Sequence, residues 1–263
     1  MSETTVSNVG LGEPDETRDV LPGRLFIVEG IDGSGKSTQL DLLHKWLVGR
    51  GFLVVFTEWN SSPIVKGTTK RGKQRHLLSP MSFSLIHAAD FANRVHAQIL
   101  PALRAGAIVL ADRYVYTAFA RDAVRGVNRD WLRGMYSFAV PPTLAFYYDV
   151  PLDEAIRRIM EGRPRLKYYE AGLDLDLADS PEESFRRYQG LIQHEYEGMI
   201  EEFGLVRVNA TDNLIHQQQE MRKMVEPYLE GVARVEGASV HDVLAQTSLR
   251  GRYLADRTGG AAL

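Results

Sequence analysis

One stretch constrains this chain more than any other: Leu25-Phe26-Ile27-Val28-Glu29-Gly30-Ile31-Asp32-Gly33-Ser34-Gly35-Lys36-Ser37-Thr38, an apolar run leading into Gly-x-x-x-x-Gly-Lys-Ser and then a helical pattern. A phosphate chain needs several backbone N–H groups converging on it, and only a loop poor in side chains wraps closely enough to supply them. Gly30, Gly33 and Gly35 permit that wrap. A helix starting near Lys36 would add its unpaired N-terminal N–H groups and the positive end of its dipole. Residues 25–28 are unbroken apolar, as a strand buried on both faces should be, and Leu40, Leu43, Trp46 and Leu47 fall at helical spacing. The context is therefore the strand, loop and helix that a phosphate-binding loop requires. Its nucleotide-binding residues are Gly30, Asp32, Gly33, Ser34, Gly35, Lys36, Ser37 and Thr38, with Lys36 reaching the terminal phosphates and the Ser37 hydroxyl ligating Mg²⁺. The alternative is a tight glycine turn with no ligand.

Downstream the chain alternates. Strand patterns at 52–57, 107–111, 144–148 and 205–208 are separated by helical patterns at 81–104, 116–124, 131–138, 152–160 and 180–203, with a last helix at 213–228. Pro101 should bend or divide the first of these helices. Ser180-Pro181-Glu182-Glu183 is a strong helix start: an N-cap, proline at the first position and acid in the first turn. Five strands alternating with helices predict an α/β fold, a parallel sheet covered on both faces. The length of 263 residues suits one such domain. We place it at 23–230, after a polar disordered lead-in over 1–22 and before a C-terminal extension over 231–263 that holds one short helical pattern at 240–244 and a frayed end at 258–263. A net charge of −3 argues against broad nucleic-acid binding, no apolar run approaches a membrane span, and the absence of cysteine fits the cytoplasm.

Ligands of open parallel sheets bind beyond the carboxyl ends of the strands, where 107–111 delivers Asp112-Arg113-Tyr114. Asp112 is placed to organise Mg²⁺ with Ser37, and Arg113 to grip a phosphate; a purely structural ion pair is the competing reading. His87, Asp90, Phe91 and Arg94 share one helix face, either as core or as a pocket wall. The basic run Lys66, Lys70, Arg71, Lys73 and Arg75 reads first as a solvated face and second as a receiver of phosphate. A lid at about 162–180 carries Arg163, Arg165 and Lys167, which can bring charge to a transferring phosphoryl group and exclude water on closing.

These residues carry a family resemblance. The loop segment 26–39, then Ala88-Ala89-Asp90 on a helix, then Val109-Leu110-Ala111-Asp112-Arg113-Tyr114 resemble thymidylate kinase in order and spacing, over about 24–226. The resemblance implies a three-layer P-loop kinase fold with a five-stranded core and a flexible lid, and transfer of the ATP γ-phosphate onto the 5′-phosphate of dTMP with Mg²⁺. By position it implies that Asp32 meets the sugar 3′-hydroxyl and Arg113 the acceptor phosphate. Gly33 stands where some members place a catalytic arginine, so this chain resembles the subgroup whose arginines come from the lid, here Arg163 and Arg165. Homodimers paired through helices beside the sheet are also implied.

The acceptor wall departs from the family pattern. Phe91 stands where an arginine usually reads the base, His87 where an aromatic stacks on it, and Arg121 where an aromatic packs near the sugar; Thr57-Glu58-Trp59-Asn60 lacks the family's phosphate-binding arginine. Arg94 is the candidate to take over the lost contact and Trp59 the candidate stacking surface. The expectation is thus a phosphotransferase with dTMP as its default acceptor. Its rivals are a kinase for another nucleotide or nucleoside and a nucleotide-binding regulatory protein without catalysis.

Overall fold

A computed structural model describes residues 21–162 and 165–234. Five strands, β1 (Arg24–Glu29), β2 (Val54–Glu58), β3 (Ile108–Asp112), β4 (Leu144–Asp149) and β5 (Val206–Asn209), make one sheet in the order β2-β3-β1-β4-β5, every pairing parallel. The expected α/β architecture is the one observed. β1 and β3 lie at the centre and are apolar almost throughout, because helices cover both of their faces. The register sets Val28 beside Asp112 and Asp112 beside Glu58, so three carboxyl ends finish level with one another.

The helices follow their sequence signals closely. They are α1 (Lys36–Gly49), α2 (Lys66–Gln74), α3 (Pro80–Arg94), α4 (Leu100–Arg104), α5 (Val115–Val124), α6 (Arg129–Met135), α7 (Leu152–Gly162), α8 (Pro181–Phe203) and α9 (Leu214–Val225). Ser180 caps α8, its hydroxyl accepting from the Glu183 N–H at 3.2 Å. Asn128 does the same for α6 from the Trp131 N–H at 2.9 Å, which moves that helix two residues earlier than its apolar pattern suggested. The long helix anticipated over 81–104 divides, but ahead of Pro101. Residues Val95–Ile99 form a π-helical turn between α3 and α4. Proline donates no N–H and crowds the carbonyl four residues back, and widening the preceding turn relieves that conflict.

Around the sheet a continuous core forms from β1, β3, β4, α1, α3, α5 and α8. None of the described helices is long and apolar enough to cross a membrane. Val232 is buried and Arg234 lies over the Phe52 ring at 5.1 Å, so the first residues after 230 pack onto the α1–β2 corner. The lead-in through residue 20 and the patterns at 240–244 and 258–263 lie outside the described residues.

Candidate active site

The site grows from the end of β1. Glu29 is wholly buried and accepts from the Tyr114 N–H at 2.7 Å, the Thr117 N–H at 3.3 Å, the Thr117 hydroxyl at 2.6 Å and the Tyr196 hydroxyl at 2.7 Å. Its carboxylate thereby caps the first turn of α5 and ties it to α8. Burial pushes the Glu29 pKa up, and those hydrogen bonds pull against the shift. What Glu29 holds is the turn at Arg113, whose φ of 69° is left-handed, a strained conformation for a residue with a side chain. The Arg113 N–H donates to Val28 O at 3.0 Å, so β1 and Glu29 grip the strained residue from both sides.

Beyond β1 the loop turns under α1. Gly33 has φ +83°, and a Cβ there would stand 2.4 Å from Ala155 O on α7. Gly33→Ala therefore demands both a disfavoured backbone and a shift of α7. We expect it to lower ATP affinity at least about fivefold through strain of about 1–3 kcal/mol; isothermal titration with ATP checks this, and unchanged affinity refutes it. Arg158 of α7 braces the same loop, donating to Gly33 O at 3.5 Å and Ala210 O at 3.0 Å while Glu154 holds its Nε at 2.7 Å.

Lys36 is buried, and its Nζ donates to Ile31 O at 3.1 Å across the loop. Burial and the nearby Arg113 charge lower its pKa to about 8, against the pull of Asp32, Asp112 and Glu29. The Ser37 hydroxyl donates to Asp112 Oδ2 at 2.5 Å, so the hydroxyl of the loop and the carboxylate ending β3 meet. Arg113 forms an ion pair with Asp32 rather than with Asp112 and also approaches Gly30 O at 3.5 Å. The Asp32 N–H is held by Gln189 of α8 at 3.3 Å.

These groups open on a cleft of about 720 Å³, lined on the loop side by Asp32, Lys36, Ser37, Asp112 and Arg113 and on the far side by Trp59, Phe83, Arg121, Tyr169 and Tyr188. Among the residues expected at the acceptor end, Trp59 and Arg121 line the cleft. His87, Phe91 and Arg94 stand one layer back, fully buried, each packed on Trp59: His87 parallel to its ring at 6.2 Å, Phe91 at 5.7 Å and the Arg94 guanidinium at 5.8 Å. The Arg94 Nε donates to Thr57 Oγ1 at 3.0 Å, and Asp90 accepts from the Asn60 and Ser62 N–H groups at 3.0 and 2.8 Å. The helix face shared by 87, 90, 91 and 94 thus shapes the turn that presents Trp59.

The basic run divides: Arg71 and Arg75 are exposed and are not among the cleft-lining residues, as its first reading as a solvated face has it. Lys66, Lys70 and Lys73 lie on one side of α2 and line the cleft. Arg163 lies outside the described residues. Arg165 is exposed and is not among the cleft-lining residues, whereas Lys167 is. Residues 165–180 close over the far side: Tyr168 stacks on His76 at 3.7 Å, Tyr169 packs on Phe83 at 5.2 Å, and Arg125 donates to Tyr169 O at 3.0 Å and to both Asp174 oxygens at 2.7 and 3.1 Å. Sequence reasoning missed Glu29, Arg125, Arg158 and Gln189 as site-building residues, and it named Lys73 only in the second reading of the basic run, as a receiver of phosphate. Only Glu29 carried a signal, a charge ending an otherwise apolar central strand.

The family model for thymidylate kinase matches residues 28–220. A protein named probable thymidylate kinase 2 from Saccharolobus solfataricus is 42% identical over 212 residues, covering 80% of this chain and 99% of the relative. One named probable thymidylate kinase from Pyrococcus horikoshii is 32% identical over 219 residues, 81% of this chain and all of the relative.

Proposed function

The chain belongs to the thymidylate kinase family, and from that premise we propose that Lys36, Ser37, Asp112 and Arg113 carry out transfer of the ATP γ-phosphoryl group to the 5′-phosphate of dTMP. The observation that carries the assignment is the meeting of the Ser37 hydroxyl with Asp112 at 2.5 Å, beside the Arg113–Asp32 pair in one cleft. Lys36 and the loop N–H groups hold the donor phosphates. Arg113 exchanges its hold on Asp32 for the acceptor phosphate, and Asp32 is then free to accept from the sugar 3′-hydroxyl. The acceptor phosphate is already anionic, so no strong base is needed and the work is positioning and charge stabilisation.

Ser37 and Asp112 fit a Mg²⁺ site. They offer one hydroxyl and one carboxylate, and the described residues contain no cluster of three or more acidic or histidine ligands. A cation that keeps most of its waters and shares phosphate oxygens suits such a sparse set. When bound it would neutralise charge between the donor phosphates. Arg163 and Arg165 are proposed to add charge from the segment joining α7 to the cleft-lining Lys167, which supports that role by its position. With this reading go a cytoplasmic location, where ATP is made, and a homodimer, for which sedimentation is the test.

The deciding experiment is coupled ADP production with Mg-ATP across nucleoside monophosphates and nucleosides. We expect dTMP to be preferred, and EDTA to abolish turnover. Turnover of another acceptor with dTMP ignored would retain the phosphate chemistry and overturn the acceptor.

A further inference from the structure

At the far end of the cleft three cations crowd one aromatic ring. Lys73 Nζ lies 5.1 Å from the Phe83 centroid, and the guanidinium carbons of Arg121 and Arg125 lie 4.5 and 4.6 Å from it. Their pairing is unequal. Arg125 is satisfied by Asp174, Tyr169 O and Tyr188. Arg121 uses its Nε on Asp122 at 2.8 Å, and its Nη2 is buried without a partner. Lys73 makes no hydrogen bond or ion pair among the described residues, and Asp122 and Glu170 are already engaged by Ser84 and Arg121 and by Lys167. A buried donor without an acceptor, as Arg121 Nη2 is, is rare and costly in folded proteins, and Lys73 is half-buried beside it. Both open donors border the cleft, and Arg121 lies two helical turns along α5 from the strand end that presents Arg113. A turn of helix advances about 5.4 Å, so this pair sits about a nucleotide's length from the phosphate end.

We propose that Lys73 and Arg121 read the base of the acceptor, donating hydrogen bonds to ring carbonyl oxygens and so selecting pyrimidine-2,4-diones over bases that present an amino group at the same edge. The inference rests on the nucleotide-kinase reading and names the base-reading residues of that site. An ammonium and a guanidinium donate only. A carbonyl oxygen satisfies them, whereas an amino group sets donor against donor, leaving Arg121 Nη2 unpaired in a buried place and Lys73 unpaired at the cleft wall. His87, Phe91 and Arg94 do not line the cleft, so the task falls to residues that do.

One consequence separates this role from a structural one. Burial, then the charges of Arg121 and Arg125, lower the Lys73 pKa to about 7, opposed by Glu170; Lys167 faces it as well. From α3, His87 and Asp90 feel its charge, and burial keeps His87 neutral throughout the range tested below. Below pH 7 Lys73 is an ammonium that only donates. Above it the amine has a lone pair that accepts from an amino group. Discrimination between the two base types must therefore weaken as pH rises. The acceptor phosphate, titrating near pH 6, is common to both substrates and cancels in their ratio.

The test is the ratio of kcat/KM for dTMP to that for dCMP, from about pH 6 to about pH 8.5, in the wild-type chain, Lys73→Arg and Lys73→Met. We expect the wild-type ratio to fall at least about tenfold, following the loss of the proton from a group of pKa near 7. Lys73→Arg should keep a high ratio at every pH, and Lys73→Met a low one, with the KM for ATP unchanged in both. A wild-type ratio that does not move with pH, or a Lys73→Met ratio equal to the wild type at pH 6, overturns the proposal. Should the wild type turn over neither acceptor, the kinase reading fails, and the same ratio taken from calorimetric dissociation constants decides the role of Lys73 by the same outcomes.

Discussion

Lys36→Ala is expected to lower kcat/KM for ATP by at least about 10³-fold, the loss typical of removing a preorganised charge from a phosphoryl-transfer site. The side chain is buried with its ammonium parked on Ile31 O, so in the ligand-free chain a cation is held in a dry loop by one carbonyl and the more distant Asp32, Asp112 and Glu29. That arrangement favours phosphate binding over stability. Its folded pKa of about 8 lies below the unfolded value near 10.4, so the folded chain binds this proton more weakly than the unfolded one. The resulting destabilisation is full below pH 8 and is relieved as pH rises from about 8 to about 10.4. Lys36→Met should thus unfold at higher urea than the wild type at pH 7, with the gap closing toward pH 10, while turning over no measurable ATP. Retained turnover would remove the loop from the mechanism. A variant inactive because it is unfolded would be recognised by the same denaturation curves.

How far the sequence anticipates this site depends on whether a residue acts through the backbone pattern or through tertiary contact. The loop, its strand and its helix are local, and so are the caps at Ser180 and the strand end at Asp112. Each is encoded by neighbours in sequence, and each lies where expected. The Ser37–Asp112 meeting spans 75 residues, yet it was legible because the parallel register of β1 and β3 brings both carboxyl ends together. The acceptor wall was not legible in this way. Whether His87 or Trp59 faces the cleft depends on how the turn after β2 settles onto α3, which Asp90 decides by binding two backbone N–H groups of that turn. Whether Lys73 faces water depends on the rotation of α2 and on the closure of residues 165–180. The mean composition of α2 is that of an exposed helix, and nothing in its seven-residue spacing distinguishes a face turned to solvent from one turned to a charged cleft.

The buried carboxylate of Glu29 provides the second large effect, on stability and activity together. Glu29→Ala removes the acceptor from the Tyr114 and Thr117 N–H groups and from two hydroxyls, all in the interior. Leaving such a set unpaired is expected to cost about 3–5 kcal/mol, read as a drop in the urea midpoint. It also releases the turn that keeps Arg113 at positive φ, so the surviving folded fraction should lose acceptor affinity more than ATP affinity. Glu29→Gln distinguishes charge from hydrogen bonding. Because burial raises the folded pKa above the unfolded value, the native chain holds this proton more tightly, and the wild type loses stability as pH rises from the unfolded carboxyl value through the raised one. The amide has no such proton, so the stability of Glu29→Gln relative to the wild type should improve with rising pH across that window. A relative stability that stays level with pH would mean that Glu29 ionises as freely in the fold as outside it, and that its hydrogen bonds fully offset the burial of its charge.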